Sequence, residues 1–485
     1  MPAETPIFPG NSRSIYKNSS ITRAESFSNN NKMLSSPVAK PHVAIICFPA
    51  AGQINPMFEF AKLLHFHGFC ITFINTDFRV LSNGGSSVAA LAESSDCFRF
   101  ESVPDGYSPS ASDSFDVEEL DSSVIRTCGE PIEQLVRKLC EPSPSSDALP
   151  PLTCVISNFL MTFSAGVEKL GIPRCKLPNK WIFGYPIDWI AGMKNIRLRD
   201  ISSFIRTTTL DNIFIKQAIK RVRFALNSTG IILNTFEDVE TEAINAIKTL
   251  IPQIYIVGPI FMHAPTPKDS IRLSLWEEDN NCKKWLNTQK KTAVIYVSFG
   301  SLTTLTRAQI LEFAWGLADS GHPFLWIIRP NLLSGGDELP EEFIKETQGR
   351  SFFSSWCNQS EVLQHPSIGG FLTHCGWNSM LESICGGVPM ICWPGFADQY
   401  TNCRYACGEW GIGIEIDEQV RREQVKELVV EVMEGERGQQ MRKNATKWKE
   451  LAEKATARGG TSIVDFERLM EDLNPEKVNM LSVES

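Results

Sequence analysis

The chain has 485 residues, 42% hydrophobic and 21% charged, which is enough material for two domains with separate cores. A net charge of -9 without any basic stripe argues against a nucleic-acid partner, and no apolar run approaches the ~20 residues that span a bilayer. Fourteen cysteines with neither CxxC pairs nor Cys/His metal spacing predict reduced thiols, a cytoplasmic protein, no metal and no cofactor.

Residues 1–40 are rich in Ser, Asn and Pro and lack apolar periodicity, so a disordered extension is expected. Its Ser-rich, mildly basic composition has a trace of a transit peptide. Pro6, Pro9 and the missing amphipathic pattern count against one, and Met33 is an alternative start. Order is predicted from His42. The run His42 to Phe48 reads as a buried strand and Pro49 to Asn55 as a turn. Pro56 is expected to open a helix at its first position, with Asn55 as N-cap. A strand from Phe69 to Asn75 completes a βαβ unit, which requires a parallel sheet.

Further strands are predicted at Thr153 to Ser157, Thr229 to Thr235 and Ile254 to Val257, with helices up to Leu170 and from Asp238 to Leu250. The basic residues between Lys216 and Arg223 alternate with apolar ones and read as a solvated helix face. This first domain is expected to span 41–258 and to be followed by a Pro-containing, charged linker at 259–283. A second alternation, 284–458, starts with the strand Ala293 to Ser301. It continues through a helix from Arg307 to Ser320, a strand from Phe324 to Arg329, a strand at Gly411 to Ile416 and two charged helices. A last helix is expected within 459–474 and a disordered tail at 475–485.

Between the second and third of these strands lies the stretch Trp356 to Gln399. Gly369 to Thr373 is a short apolar run, His374 to Ser379 a polar loop, and Met380 to Cys385 the start of an apolar-periodic helix. Strand, loop and helix N-terminus together make an anion site, because the first helical N–H groups are unpaired and carry partial positive charge. Gly376 lets a ligand approach the backbone, and Asn378 and Ser379 add donors. Glu382, one turn on, can accept two vicinal ribose hydroxyls. Trp356 can stack on a base, His374 can donate to a diphosphate, and Asp398 with Gln399 can hold sugar hydroxyls. Taken singly, such residues are more often packing or surface than ligands. Their joint placement on one strand, loop and helix reverses that judgement.

At its full spacing from Trp356 to Gln399 the stretch resembles the signature box of plant secondary-product UDP-glycosyltransferases. The resemblance runs from Pro41 to Leu473 and is strongest in the second domain. It implies an α/β GT-B fold, with two Rossmann-like domains whose parallel sheets face a central cleft. The acceptor then lies mainly on the first domain and the UDP-sugar on the second, and the last helix crosses back to the first. It implies further that Trp356 stacks on uracil, the Cys357 backbone pairs with its edge, and Gln359 and Glu382 hold the ribose. His374, Asn378 and Ser379 take the phosphates, Trp377, Asp398 and Gln399 address the sugar, and Ser301 belongs with the donor-binding set. Gln399 at the end of the box resembles users of UDP-glucose, the donor substrate expected here.

Three features depart from the family pattern. Where the family reads Gly-His-x-Asn-Pro, with the histidine as general base, this chain has Gly52-Gln53-Ile54-Asn55-Pro56. An amide can hydrogen-bond a hydroxyl but cannot take its proton. Where the family has an aspartate that orients the histidine, this chain has Asn158. Two amides at catalytic positions are either a packed structural pair or a remodelled reaction site. The segment Pro173 to Ile187 is also shorter than its family counterpart, which lines the acceptor pocket.

Of the seven histidines, His42, His65, His67, His263, His322, His365 and His374, none is an evident replacement base. Three readings follow. The first is an inverting UDP-glucose-dependent transferase, acting as a monomer on small lipophilic plant-type acceptors, weak on hydroxyls or specialised for carboxylate or amine nucleophiles. The second is a UDP-sugar-binding pseudoenzyme. A nicotinamide oxidoreductase is disfavoured because no G-x-G-x-x-G follows the first strand of either domain.

Overall fold

Five consecutive buried residues, His42–Ile46, form β1, as expected of a strand covered on both faces. The computed structural model describes residues 40–76, 97–107, 117–141, 149–161, 174–175, 190–204, 206, 213–251, 253–263, 278–279, 281–329, 332 and 339–474. The N-terminal extension up to residue 39, the tail from 475, much of the linker and nearly all of the Pro173 to Ile187 segment lie outside these residues.

β1 is joined by β2 (Cys70–Thr76), β3 (Phe98–Val103), β4 (Cys154–Ser157) and β5 (Arg174–Cys175) in the order β3-β2-β1-β4-β5. Every pairing is parallel. The helix Ala51–Phe66 links β1 to β2 and buries Ile54, Phe58, Ala61 and Leu64 against the sheet. Phe58 packs edge-on to Phe73 and Phe98, with ring centroids 5.6 and 6.1 Å apart. This helix starts five residues earlier than the sequence suggests, so Pro56 is interior and Asn55 is not its cap. The Gln53 and Ile54 N–H groups both reach the Ala50 carbonyl and nucleate the first turn. A proline six residues into a helix forfeits one bond, from residue 56 to the carbonyl of residue 52.

A parallel pair, β6 (Ile231–Leu233) and β7 (Ile254–Ile256), follows. The helix Ile213–Leu226 precedes it. Its face is not wholly solvated: Lys216, Lys220 and Arg223 are exposed, but Arg221 is buried in an ion pair with Asp121. The alternation of basic and apolar residues is the same in both cases, and only the tertiary partner distinguishes them.

The second sheet contains β8 (Val294–Ser298), β9 (Phe324–Ile327), β10 (Ser351–Ser354), β11 (Ile368–Thr373), β12 (Met390–Cys392) and β13 (Gly413–Glu415), ordered β10-β9-β8-β11-β12-β13 and all parallel. Its helix Arg307–Asp319 begins with a capping box between Thr306 and Gln309. In both sheets the strand order reverses beside the first strand, at β1/β4 and at β8/β11. In open α/β sheets ligands bind beyond the carboxyl ends of the strands at such a reversal.

The final helix, Thr461–Asp472, packs Phe466 and Leu469 into the apolar cluster that holds Val43 and Ile45 of β1. Asp465 accepts the Ile256 N–H at 2.8 Å, and Ser462 donates to the Gly258 carbonyl at 2.6 Å. No helix among the described residues is long and apolar enough to cross a membrane.

Candidate active site

The loops after β1, β4, β8 and β11 line one cavity of about 700 Å³, within the usual range of small-molecule sites. Gln53, Asn158, Ser301, Trp356, Cys357, Gln359, His374, Gly376, Trp377, Asn378, Ser379, Glu382, Asp398 and Gln399 all border it. The two strand-order reversals therefore open onto the same space.

Gly376 is the N-cap of the helix Trp377–Gly386 and has no side-chain cap bond, which leaves first-turn N–H groups for a ligand. Left-handed geometry at Cys375 and Gly300 brings two turns together around His374. A Cβ on Gly300 or Gly376 would lie 2.4 or 2.5 Å from His374 Nε2, so both positions need glycine for close approach. Burial, and secondarily the Arg329 charge, lower the His374 pKa to about 4. The imidazole is thus neutral near pH 7.

Gln359 sits at the centre of a polar network. Its amide donates to Ser379 Oγ at 2.8 Å and to Glu382 Oε2 at 2.6 Å, while its carbonyl accepts from Tyr296 Oη at 3.2 Å. Burial raises the Glu382 pKa to about 7, and the Gln359 bond opposes that rise. Gln399 accepts the Gly395 and Phe396 N–H groups at 2.9 and 3.1 Å. Its oxygen is therefore committed to the loop backbone and its NH2 group remains for a ligand. Asp398 accepts from Asn402 at 3.0 Å, and desolvation raises its carboxyl pKa.

Trp377 donates from its indole to the Asn234 carbonyl at 2.9 Å and packs against Trp410 with ring centroids 6.3 Å apart. Its side chain is engaged across the cleft, and its backbone N–H, in the first turn, is the group left for a sugar-phosphate. Asn378 also crosses the cleft, donating to the Gly52 carbonyl at 2.8 Å. That carbonyl is the one Pro56 deprives of a helical partner.

On the opposite wall the two amides touch. Asn158 Nδ2 donates to Gln53 Oε1 at 2.8 Å, while Asn158 Oδ1 accepts the Leu160 N–H at 2.9 Å. Asn158 is buried, and its backbone N–H bonds the Ile46 carbonyl of β1 at 2.8 Å. The other histidines lie elsewhere. His42 bonds Thr72 and Pro150, His67 and His263 pack on Phe466, His65 packs on Phe98, and His365 bonds Ser367. Of the seven, His374 is the one that borders the cavity.

The family model for UDP-glucoronosyl and UDP-glucosyl transferases matches residues 275–451. Over 475 residues the chain is 42% identical to 7-deoxyloganetin glucosyltransferase of Catharanthus roseus, an alignment covering 90% of this chain and 96% of that relative. Over 480 residues it is 43% identical to (R)-mandelonitrile beta-glucosyltransferase of Prunus dulcis, covering 90% and 98%. The chain belongs to the plant UDP-glycosyltransferases. Os79 of O. sativa, solved in complex with UDP, shares its architecture with a TM-score of 0.76 at 25% identity, over 89% of this chain and 100% of that one. The two doubly wound sheets are thus the halves of a GT-B glycosyltransferase, and the shared cavity is its interdomain cleft.

Sequence reasoning missed Tyr296 in this glycosyltransferase. It is the one aromatic hydroxyl in β8, set among Val294, Ile295 and Val297, and that break in the apolar run was its available signal. Spacing also concealed a thiol cluster: Cys375, Cys392 and Cys403 are buried with sulfurs within 4.8 Å of one another. A thiolate–metal complex there would put net negative charge behind the very loop that must accept an anion. Burial holds the Cys375 thiol well above the usual range, and as a neutral thiol it behaves as a small apolar core group. Cys375, Cys392 and Cys403 are all free of disulfides.

Proposed function

We propose that this glycosyltransferase moves glucose from UDP-glucose, with inversion and without metal, to a small lipophilic acceptor that arrives as a nucleophile of its own, a carboxylate or an amine, and that it is slow toward neutral hydroxyls. The observation that carries this reading is the Gln53–Asn158 amide bond of 2.8 Å at the acceptor wall. A hydroxyl must lose a proton as it attacks, and neither amide can accept one. A carboxylate needs no base, so positioning and stabilisation of the departing diphosphate suffice. The donor half supports the reading because stacking, ribose and phosphate groups stand together along the cavity. The indole of Trp356, the Gln359–Glu382 pair, the first-turn amides with neutral His374, and the Asp398–Gln399 pair all border it, and would serve base, ribose, phosphates and sugar respectively. Gln399 supports glucose over galactose, and the relatives named above are glucosyltransferases. A cytoplasmic setting fits buried cysteines such as Cys375, Cys392 and Cys403, which form no disulfide.

The same amide bond favours one second reading, a UDP-sugar-binding protein without transferase activity. Product analysis with UDP-glucose and a panel of phenol, alcohol, carboxylate and amine acceptors separates the two. Glucose esters or N-glucosides at rates well above the phenol support the proposal. UDP binding with no product on any acceptor supports the second reading, and efficient phenol glucosylation overturns both.

A further inference from the structure

Arg329, just past the end of β9, is 3% exposed and forms no ion pair among the described residues. Its partners are neutral carbonyls. Nε donates to Gly300 at 2.9 Å and Nη2 to Thr303. No carboxylate among the described residues offsets the cost of burying this cation; burial lowers its pKa to about 10, which leaves it charged near pH 7. A buried, uncompensated charge ordinarily costs several kcal/mol, and such a cost persists where a ligand supplies the missing counter-charge.

The location identifies that ligand. Arg329 lies behind the cavity wall and does not border the cavity. The carbonyl it grips belongs to Gly300, in the turn after β8 that holds Ser301 and packs directly on the His374 ring. The guanidinium is close enough to His374 to depress its protonation. Gly376, the N-cap of the helix Trp377–Gly386, packs on the same histidine. The nearest anion the site is built to receive is therefore the donor's diphosphate.

We infer that Arg329 is a positioning residue for the donor diphosphate: its buried, unpaired guanidinium fixes the Gly300–Thr303 turn and supplies the standing positive potential that the diphosphate neutralises when UDP-sugar binds. This rests on the UDP-sugar reading of the cleft. It adds a specific consequence, that stability and donor affinity trade against each other at this position. Removing the charge relieves a burial cost in the empty protein and takes it from the complex.

The test compares wild type, Arg329→Met and Arg329→Lys in full-length protein. Melting temperature is measured, together with calorimetric affinities for uridine, UMP and UDP. Wild-type UDP binding is the control for the underlying reading: if it is absent, the UDP-sugar assignment fails on its own and Arg329 has no donor to position. With binding present, Arg329→Met should keep or raise the melting temperature and leave uridine affinity within about twofold. It should weaken UDP at least ~10-fold, equivalent to ~1.4 kcal/mol, with UMP in between. Arg329→Lys, which keeps charge but loses the two-carbonyl grip, should fall between wild type and Met. The wild-type dependence of UDP affinity on salt should flatten in the Met variant. A general structural role would lower the melting temperature and weaken uridine and UDP alike. That result, or unchanged UDP affinity, overturns the inference. If the Met variant does not fold, Arg329→Lys decides by the same uridine-to-UDP ratio.

Discussion

Restoring the missing base is the most informative perturbation. In the wild type, Asn158 spends its Nδ2 on Gln53 and its Oδ1 on the Leu160 N–H. A histidine at position 53 would then face a donor, not an acceptor. To receive the imidazole N–H, Asn158 would have to flip and abandon Leu160. Gln53→His alone should therefore recover only part of the ~10²–10⁴-fold associated with a general base. An aspartate at 158 changes the geometry, because one carboxylate oxygen can keep Leu160 while the other accepts from the ring and stabilises the imidazolium. A hydrogen bond to a charged group is worth ~1.5–3 kcal/mol. Gln53→His with Asn158→Asp should accordingly exceed the product of the single effects by roughly 10- to 150-fold, the factor to which that energy converts. The assay is initial glucosylation rates for all four proteins with one phenol and one carboxylate acceptor. The gain should be confined to the phenol. High wild-type phenol activity without a gain in the double variant would show that another base serves this site and refute the argument.

Donor binding gives three further outcomes. Glu382→Ala should weaken UDP binding by ~1.5–3 kcal/mol, through loss of a charged acceptor for the ribose, while His374→Ala should weaken UDP but spare uridine; calorimetry checks both. Because the folded-state pKa of Glu382 is raised to about 7 from 4.5, the folded protein binds the extra proton between those values. Its contribution to stability is present below pH 4.5 and is lost as pH rises through 7. Glu382→Gln should thus gain melting temperature relative to wild type as pH goes from 5 to 8, and UDP, which prefers the carboxylate, should bind wild type more tightly over the same rise. Pro56→Ala should raise stability by up to ~3 kcal/mol, seen in denaturant unfolding, and should reduce transfer more than UDP binding, since it offers the Gly52 carbonyl a helical partner in place of Asn378.

Much of this was legible in the chain itself. The parallel strands of both halves appear as uninterrupted apolar runs, and the donor box shows the expected order of strand, loop and helix, but the helix begins at Trp377, three residues before the expected Met380, so Trp377, Asn378 and Ser379 lie in its first turn and not in the loop. The first-domain helix was misplaced for a local reason. A proline is normally a helix opener, and nothing nearby signals that Ala50 begins the turn. Arg221 was misread because its counter-charge, Asp121, is 100 residues distant. Tyr296 and the converging cysteines escaped for the same reason, since their meaning depends on neighbours brought in by the sheet. The Gln53–Asn158 contact could be anticipated from the resemblance, whereas its polarity, with Asn158 donating, required the structure.

The two halves of the reaction meet through a defect in a helix. Pro56 removes the N–H that would satisfy the Gly52 carbonyl, and a carbonyl left unpaired beside a cleft seeks a donor. Asn378 supplies it from the first turn of the anion-binding helix, one residue from the Trp377 indole that bonds Asn234. Gly52 immediately precedes Gln53, so the donor helix is linked to the backbone that carries the acceptor-wall amide. A diphosphate that engages Asn378 must share it with Gly52 or draw it away. Either way, a path from the donor to the Gln53–Asn158 wall would run through Asn378 and the Gly52 backbone. This coupling does not depend on which side chain occupies position 53.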